Sequence, residues 1–479
     1  MLSTSRKAAI LAVRDTTKFA LYALAAPTES ARPALPSLVQ QQRRLFHNQY
    51  LELWNNSMAA AGTSPLLVDP PMRLMHPIHF PDRLMLGPGP SNMSDPIREA
   101  LSAPLLGHLH PEFLEVCIEI MDDVKAGLQY AFQTENALTF AVSGTGHAGM
   151  ECAMFNLLEP GETVLVLQNG VWGQRAADLG RRMNLDVKLL HVPEGQVIDM
   201  EDFIEAVEKF KPAVAFLCHG ESSTGVVHPL EGFGEVCRNN GALLLVDTVA
   251  SLGAAPFHAD ALQVDCVYSA SQKVFNCPPG LAPISFNDRA IAKIRFRKTR
   301  VPSFYFDALE IGNYWGCFTN EARRYHHTAP ISLVYALRES LAMVGREGIQ
   351  NMVNRHLANA IQLQDALESI DLELFVNNPN HRLPCLTTVK VPRGVDWKAV
   401  QSDLMAQGIE IAGGLGPTTG KIWRIGTFGV NSDPAVIGQL IGALRNVLEK
   451  HGHQIKNPDS AYMVNDEEEP LQQKVASSL

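Results

Sequence analysis

The sequence lacks three features that each define a class of protein. It has no uncharged apolar run near the roughly 20 residues that cross a bilayer, so no segment is predicted to span a membrane. Its eight cysteines form no CxxC pair, and several lie in apolar stretches, so we expect a reducing compartment without a disulfide framework. Basic residues are fewer than acidic residues, and the resulting net charge of -10 argues against nonspecific binding to nucleic acid or anionic membranes. What is present, 479 residues of which 46% are hydrophobic, predicts a globular chain with two or more folded units.

The N-terminal segment differs in composition from the rest of the chain. Its acidic residues are Asp15 and Glu29 alone, and its basic residues are Arg6, Lys7, Arg14, Lys18, Arg32, Arg43 and Arg44. A basic, hydroxyl-bearing, acid-poor start indicates a mitochondrial transit peptide, which we place at residues 1–50, and it predicts the mitochondrial matrix. A disordered tail without a targeting role is the alternative. The C-terminal SSL lacks the lysine of the peroxisomal signal SKL, so the peroxisome is the alternative location.

The hydrophobic pattern predicts the fold class. Between residues 86 and 290, short apolar runs alternate with amphipathic stretches of helix length, which is typical of an α/β fold with a mostly parallel sheet. Longer helical stretches and short strands after residue 330 predict a second, smaller α+β domain. The predicted divisions are an extended arm at 51–85, a large domain at 86–345, a small domain at 346–452 and an acidic tail at 453–479.

Four of the apolar runs end in small or polar residues. These ends are Ser143-Gly144, Asn169-Gly170, His219-Gly220 and Asp247. Ligands of open α/β sheets bind at the carboxyl ends of the strands, so we expect these four ends to line one crevice.

The glycine-rich turn after the first of these runs fits more than one kind of ligand. It satisfies the pattern G-x-G-x-x-G at Gly144, Gly146 and Gly149. The start of the following helix can bind phosphate, with Thr145 and His147 as polar neighbours. A nicotinamide-dependent dehydrogenase is an alternative, but its fingerprint needs an acidic residue at the end of the next strand, where this sequence has Gln168 and Asn169. A purely structural turn is a further alternative.

Lys273 and Asp247 are unusual for their surroundings. Lys273 is the only basic residue between Asp265 and Asp288, so a buried amine there would have its pKa lowered by desolvation and would suit Schiff-base chemistry. An exposed turn is the alternative for this lysine. Asp247 ends an apolar strand and needs a cationic partner, such as the protonated ring nitrogen of pyridoxal phosphate. A helix N-cap is the alternative for Asp247.

Several motifs in combination resemble the alanine–glyoxylate and serine–pyruvate aminotransferase family of class-V pyridoxal-phosphate enzymes. They are GPGPSN (87–92), SGTGHAGMEC (143–152), NGVWGQRA (169–176), HGESSTGVVHPLEG (219–232), LLLVDTVASLG (243–253), SASQKVFNCPPG (269–280), NYWGC (313–317), RYHHT (324–328) and GGLGPTTGKIWRIG (413–426). The resemblance spans about residues 84–450. It implies the aspartate aminotransferase-like fold of pyridoxal-phosphate transferases.

The resemblance also implies a role for each candidate site residue. Lys273 would be the Schiff-base lysine and the proton-transferring base, and Asp247 would pair with the pyridinium nitrogen. The phosphate would be held by Thr145, Gly146, His147 and Gln272, with Trp172 stacked on the ring and Ser222 near the ring hydroxyl. Substrate would be bound by Arg424, through its carboxylate, and would pass Gly107 and His108 at the mouth of the site. Tyr325 and Thr328 would reach the phosphate from a second subunit of a homodimer.

The implied reaction is transfer of an amino group from alanine or serine to glyoxylate. A transaminase acting on 3-hydroxykynurenine or kynurenine is an alternative, because the segment at Gly107 and His108 differs among family members. A binding protein that keeps the fold without catalysis is another. His108 and His110 have the spacing of metal ligands, but the sequence shows no second ligand pair, so no metal is predicted.

Overall fold

The structure, a computed structural model, describes residues 71–106 and 111–455, together with Gln49 and Glu52. The predicted transit peptide, apart from Gln49, therefore lies outside the described residues, as does the acidic tail from residue 456 onwards. The chain divides into a unit Met1–Phe80 and a unit Pro81–Leu479. In the first unit, a single turn of 3₁₀ helix covers Met72–Met75. The elements named below belong to the second unit.

The strands of the described residues are short. Their bounds are β1 (Leu84–Met85), β2 (Leu138–Ser143), β3 (Thr163–Gln168), β4 (Asp186–His191), β5 (Val214–Cys218), β6 (Gly220–Glu221), β7 (Val226–Val227), β8 (Leu243–Asp247), β9 (Cys266–Tyr268), β10 (Leu281–Phe286), β11 (Leu386–Lys390), β12 (Ile409–Glu410), β13 (Ala412–Gly413) and β14 (Ile422–Gly426).

The helices of the same residues run from about two turns to about six. They are α1 (Asp95–Leu101), α2 (Pro111–Phe132), α3 (Gly146–Leu157), α4 (Val171–Arg182), α5 (Met200–Phe210), α6 (Phe233–Asn239), α7 (Asp288–Arg295), α8 (Ala308–Tyr314), α9 (Ile331–Glu347), α10 (Ile349–Ser369), α11 (Trp397–Ala406) and α12 (Pro434–Lys450). As far as the described residues go, none of these helices combines the length and the apolar character needed to cross a membrane.

The main sheet confirms the predicted α/β class. Among the described residues it has seven strands in the order β2-β10-β9-β8-β5-β3-β4, and only β10 runs antiparallel to its neighbours. The central strands β5 and β8 are buried along their whole length. Strands covered on both faces are continuously apolar instead of alternating, which is why these runs could be recognised in the sequence.

A second, smaller core forms around the antiparallel strands β11, β14 and β13. Its buried side chains include Leu363, Val389, Trp423 and Leu440. This is the predicted α+β arrangement, but the residues that form it differ in two places from the predicted domain boundaries.

Both differences concern where the second core begins. Leu84–Met85, inside the predicted arm, pair as β1 with β12, and the next residue, Leu86, is buried in the second core. Helix α10 contributes Met352 to the first core and Leu363 to the second, so the change between cores falls within α10, beyond residue 345. A continuous helix that crosses between two cores leaves no break in the hydrophobic pattern to mark the division.

The topology brings four strand ends to one edge of the sheet. Strands β2, β3, β5 and β8 point the same way, and each continues into a turn with polar or small residues. Helix α3 begins directly after β2, and it ends at Leu157 because Leu158 is extended ahead of Pro160. The predicted crevice is therefore formed by these turns.

Candidate active site

A cavity at the carboxyl edge of the sheet collects most of the predicted site residues. Its lining is Thr145, Gly146, His147, Met150, Trp172, Gly220, Ser222, Asp247, Val249, Ala250, Gln272 and Lys273. Eight of the candidate residues taken from the sequence are in this set. They come from the carboxyl ends of five strands, β2, β3, β5, β8 and β9, so the cavity exists only in the folded sheet.

Lys273 is buried, with 9% of its surface exposed. Its amine donates a hydrogen bond to the carbonyl of Pro88 and lies 5.5 Å from the centre of the Phe428 ring. Burial lowers the pKa of the amine to about 8, and the nearby charge of Arg424 also lowers it. The lowered pKa agrees with the sequence prediction, and the exposed-turn alternative for Lys273 is wrong.

Gly89 explains why the motif GPGPSN accompanies this lysine. Its φ is +103°, a conformation that favours glycine. A Cβ atom at this position would lie 2.5 Å from the Lys273 amine, so any other residue would occupy the space of the lysine side chain. The backbone of Lys273 is held in turn by Ser91, whose hydroxyl donates to the Lys273 carbonyl at 2.8 Å.

Asp247 presents a buried carboxylate at the end of β8, with 4% of its surface exposed. The Val249 amide donates to its Oδ1 at 2.8 Å, and the Tyr268 hydroxyl donates to its Oδ2 at 2.6 Å. Burial raises the pKa of Asp247 to about 6, and these two hydrogen bonds oppose the rise. The N-cap alternative is wrong, because Asp247 is followed by a turn and no helix begins there.

The first turn of α3 offers a binding site for an anion. Thr145 is the N-cap residue, and its hydroxyl makes no capping hydrogen bond, while the first N–H groups of a helix have no partner within it. His147 meets Trp172 edge to face, with ring centres 5.7 Å apart. Gln272 faces the same cavity, and its side-chain oxygen is buried without a partner.

Trp172 is held at both ends by the turn after β5. Its indole Nε1 donates to the Ser222 hydroxyl at 2.7 Å, and its backbone amide donates to Oε2 of Glu221 at 3.0 Å. These two hydrogen bonds hold the backbone and the indole ring of Trp172 in the lining of the cavity.

Glu221 lies behind the cavity lining, where it accepts a hydrogen bond from the Trp172 amide, and the sequence interpretation did not single it out. Its side chain is fully buried, and its Oε1 accepts from the Ser223 amide at 2.9 Å and from the Ser223 hydroxyl at 2.5 Å. Burial raises the pKa of Glu221 to about 7, although these bonds and that of Trp172 oppose the rise. The only signal in the sequence is a carboxylate followed directly by two serines.

Arg424 lies on β14 beside the cavity and not in its lining. Its Nε donates to the Gly413 carbonyl at 2.8 Å, and its Nη1 donates to the Ser222 carbonyl at 3.2 Å. Burial lowers the pKa of the guanidinium to about 10, while the charge of Glu221 opposes this. The arginine therefore remains charged at neutral pH.

Two further candidates, Tyr325 and Thr328, are not among the residues that line the cavity. Tyr325 and Thr328 are exposed, and their hydroxyls lie 3.0 Å apart. Gly107 and His108 lie outside the described residues. The adjacent His326 and His327 bond to each other, and the described residues contain no group of side chains suited to hold a metal ion.

Known proteins resemble this chain along most of its length. The family model described as aminotransferase class-V matches residues 109–425. The alanine–glyoxylate aminotransferase of Callithrix jacchus is 46% identical over 397 residues, which cover 83% of this chain and 94% of that protein. The (S)-ureidoglycine–glyoxylate transaminase of Bacillus subtilis is 33% identical, over 78% of this chain and 92% of that protein. The solved alanine–glyoxylate aminotransferase of Nostoc superimposes with a TM-score of 0.76 at 45% identity, and the match covers 80% of this chain and 100% of that chain.

Proposed function

The chain belongs to the class-V aminotransferase family, and we propose that it transfers the amino group of alanine, or of serine, to glyoxylate with pyridoxal phosphate as cofactor. The products are pyruvate, or hydroxypyruvate, and glycine. The dehydrogenase alternative is wrong, because the family match covers the cavity and its glycine-rich turn.

The observation that carries the proposal is the meeting of Lys273 and Asp247 in one buried cavity next to the first turn of α3. These groups fit the three polar parts of pyridoxal phosphate, which are its aldehyde, its ring nitrogen and its phosphate. The side-chain oxygen of Gln272, buried without a partner at this cavity, supports a polar ligand there. When bound, the cofactor supplies an electron sink that lets the α proton of the amino acid leave.

The chain's own residues would hold the cofactor, transfer protons and bind the substrate. Lys273 would hold the cofactor through its amine and, once free, would move a proton at its Nζ; a pKa of about 8 leaves part of this amine neutral near pH 7. Asp247 would keep a proton on the ring nitrogen. Trp172 would cover one face of the ring and exclude water, and Arg424 would bind the substrate carboxylate through its planar fork.

Glyoxylate as the acceptor is supported by the relatives. The names of two kinds of relative differ in the amino donor, alanine in one and (S)-ureidoglycine in the other, and share glyoxylate. Identity to the alanine–glyoxylate aminotransferase is higher than identity to the (S)-ureidoglycine–glyoxylate transaminase, 46% against 33%, which favours alanine as the donor.

Absorbance spectroscopy of the purified protein tests the proposal. We expect a visible band from the bound cofactor that alanine alone shifts and that glyoxylate then restores. Reduction with borohydride should attach the cofactor permanently to Lys273. The variant K273A should lack the visible band of the wild type, whereas K398A, at an exposed lysine, should keep it. Parallel rates with serine and 3-hydroxykynurenine rank the donors, and an unchanged spectrum with every amino acid would refute transamination.

We also propose a homodimer and a mitochondrial location. The dimer is supported by Tyr325 and Thr328, which lie on the surface with their hydroxyls adjacent, as a contribution to a neighbouring site requires. The location is supported by the basic, acid-poor composition of residues 1–50. Residues 1–50 fused to a fluorescent protein should enter mitochondria, and replacement of Arg6, Lys7, Arg14 and Lys18 by glutamine should leave the fusion in the cytosol. Peroxisomal accumulation of the full chain would contradict the assignment.

A further inference from the structure

The Asp247 carboxylate receives a hydrogen bond on each oxygen, and one of the two donors has no role in the function proposed above. That donor is Tyr268, whose hydroxyl lies 2.6 Å from Oδ2. Its side chain is fully buried. Tyr268 does not line the cavity, so any effect on a ligand there passes through Asp247.

The sheet holds Tyr268 in place from two sides. Strands β8 and β9 are parallel, and Asp247 pairs directly with Tyr268. The amide and the hydroxyl of Thr248 both donate to the Tyr268 carbonyl at 2.9 Å, which fixes its backbone. On the other side, a Cβ atom at Gly149 of α3 would lie 3.1 Å from Cδ2 of the tyrosine ring. The third glycine of the glycine-rich turn is therefore explained by close packing of α3 on this ring.

In this hydrogen bond the Tyr268 hydroxyl is the donor and the Asp247 carboxylate is the acceptor. Burial and the neighbouring carboxylate raise the pKa of Tyr268 well above its ordinary value, so the phenol remains a donor throughout the neutral range. Its hydrogen bond favours the ionised form of Asp247, against the effect of burial. Each carboxylate oxygen accepts through two lone pairs, so Asp247 can still accept from a further donor.

We propose that Tyr268 is a positioning residue for the cofactor: its hydroxyl keeps the Asp247 carboxylate ionised and fixes its orientation towards the ring nitrogen of pyridoxal phosphate. This inference rests on the proposed function, because Asp247 has that partner only if the cavity binds this cofactor. A phenylalanine at position 268 would fill the same space in the core and would lack the hydroxyl.

Cofactor affinity of Y268F tests the proposal. Cofactor-free protein is titrated with pyridoxal phosphate, and the Kd is measured by absorbance between about pH 6 and pH 8.5, the range in which a carboxyl of raised pKa changes charge. A hydrogen bond to a charged group is lost, so Y268F should bind roughly tenfold to a hundredfold more weakly than wild type. Y130F is the matched control, since it removes a tyrosine hydroxyl that accepts from the Ile349 amide at 2.9 Å outside the cavity. It should bind as wild type does.

The pH dependence separates this role from simple packing. Without the tyrosine hydroxyl the Asp247 carboxyl is harder to ionise, so the ratio of the two Kd values should grow as the pH falls. The other ionisable groups that act on Asp247 are Lys273, Glu221 and Cys218, and they are the same in both proteins. Their titration therefore cancels in the ratio.

A second pair of variants keeps the test decisive. In a D247N background the Y268F change should alter the Kd little, because the hydroxyl acts through the carboxylate. Thermal unfolding of each cofactor-free protein shows whether it is folded at the assay temperature. Equal Kd values for wild type and Y268F at every pH, or the same loss in the D247N background, would overturn the role of Tyr268 and leave the proposed function intact. Failure of the wild type to bind pyridoxal phosphate would instead overturn the proposed function.

Discussion

At the scale of single residues, Arg424 is the side chain that we propose binds the substrate carboxylate. Its Nε and Nη1 are engaged by two carbonyls, which fixes the guanidinium plane beside the cavity. Lysine supplies the same charge without the fork, so R424K should lose one charge-assisted hydrogen bond, worth about 1.5–3 kcal/mol. We expect KM for alanine and for glyoxylate to rise roughly tenfold to a hundredfold, with a smaller change in kcat. The control R182K, on the exposed face of α4, should leave KM unchanged, and an unchanged KM in R424K would contradict the role.

Glu221 gives a pH dependence of stability whose sign follows from its burial. The pKa of about 7 in the folded protein lies above the ordinary glutamate value of 4.5, so between these values the folded state holds a proton that the unfolded state has lost. Stability contributed by this group is therefore present below about pH 4.5 and is lost as the pH rises through about 7.

Urea unfolding of cofactor-free wild type and E221Q measures this effect. Relative to E221Q, the free energy of unfolding of the wild type should fall by roughly 2–4 kcal/mol between about pH 4.5 and pH 7.5. E208Q, at an exposed position on α5, should follow the wild-type profile. Parallel pH profiles for wild type and E221Q would show that Glu221 is not a buried titrating group.

Lys273 and Asp247 could be singled out from their own surroundings in the sequence, whereas Tyr268 and Glu221 could not. Lys273 and Asp247 stand out because a charged group in an apolar run is costly to bury without a partner. Tyr268 does not stand out, because a tyrosine in a strand is an ordinary core residue and its partner is 21 positions away. Glu221 was missed because the Trp172 amide that it holds is 49 positions distant. Contacts across turns of the sheet leave no local pattern.

At the scale of elements, the turn between β3 and α4 depends on the absence of a side chain at Gly170. A Cβ atom there would lie 2.3 Å from Cδ of Glu221, and moving this carboxylate away would strain or break the hydrogen bonds to both of its oxygens. G170A should therefore reduce the free energy of unfolding by about 1–3 kcal/mol through overpacking. It should also weaken cofactor binding, since the displaced Glu221 would release the start of α4 and with it Trp172.

The matched comparison for this change is G438A. Gly438 lies within α12 and has open space where a Cβ atom would be, so alanine should stabilise that helix by about 0.5–1 kcal/mol. Unfolding in urea and cofactor titration of both variants check the pair. Equal stability of G170A and wild type would mean that Glu221 can shift without cost.

Elements were predictable where their pattern is long and their environment uniform. The continuous apolar runs of β5 and β8 identified a sheet covered on both faces. The two-residue strand β1 was assigned to the arm, because a pair of residues has no periodicity and its partner β12 follows more than 300 residues later. The boundary between the two cores could not be located from the sequence, because it falls within the continuous helix α10, which packs into both cores.

At the scale of the whole molecule, the end of the cavity that we propose binds the phosphate has few side chains of its own among the described residues of one chain. The hydroxyl of Thr145 and the first turn of α3 face the cavity, and His147 is engaged with Trp172. Tyr325 and Thr328, which the family resemblance assigns to the phosphate, lie on the surface instead. A homodimer in which each subunit lends these hydroxyls to its partner accounts for both facts.

Subunit complementation decides whether the hydroxyls act across subunits. One subunit carries K273A, which removes the cofactor-linking amine, and the other carries Y325F and T328V, which remove two exposed hydroxyls with little change in shape. In a heterodimer purified through two different tags, the second subunit has its own Lys273 and receives Tyr325 and Thr328 from the first. One of the two sites is then complete, so activity at limiting cofactor should be about half that of wild type, by the symmetry of a two-fold interface. If the hydroxyls served the site of their own subunit, the heterodimer would contain no complete site and would be no more active than the mean of the two parent dimers.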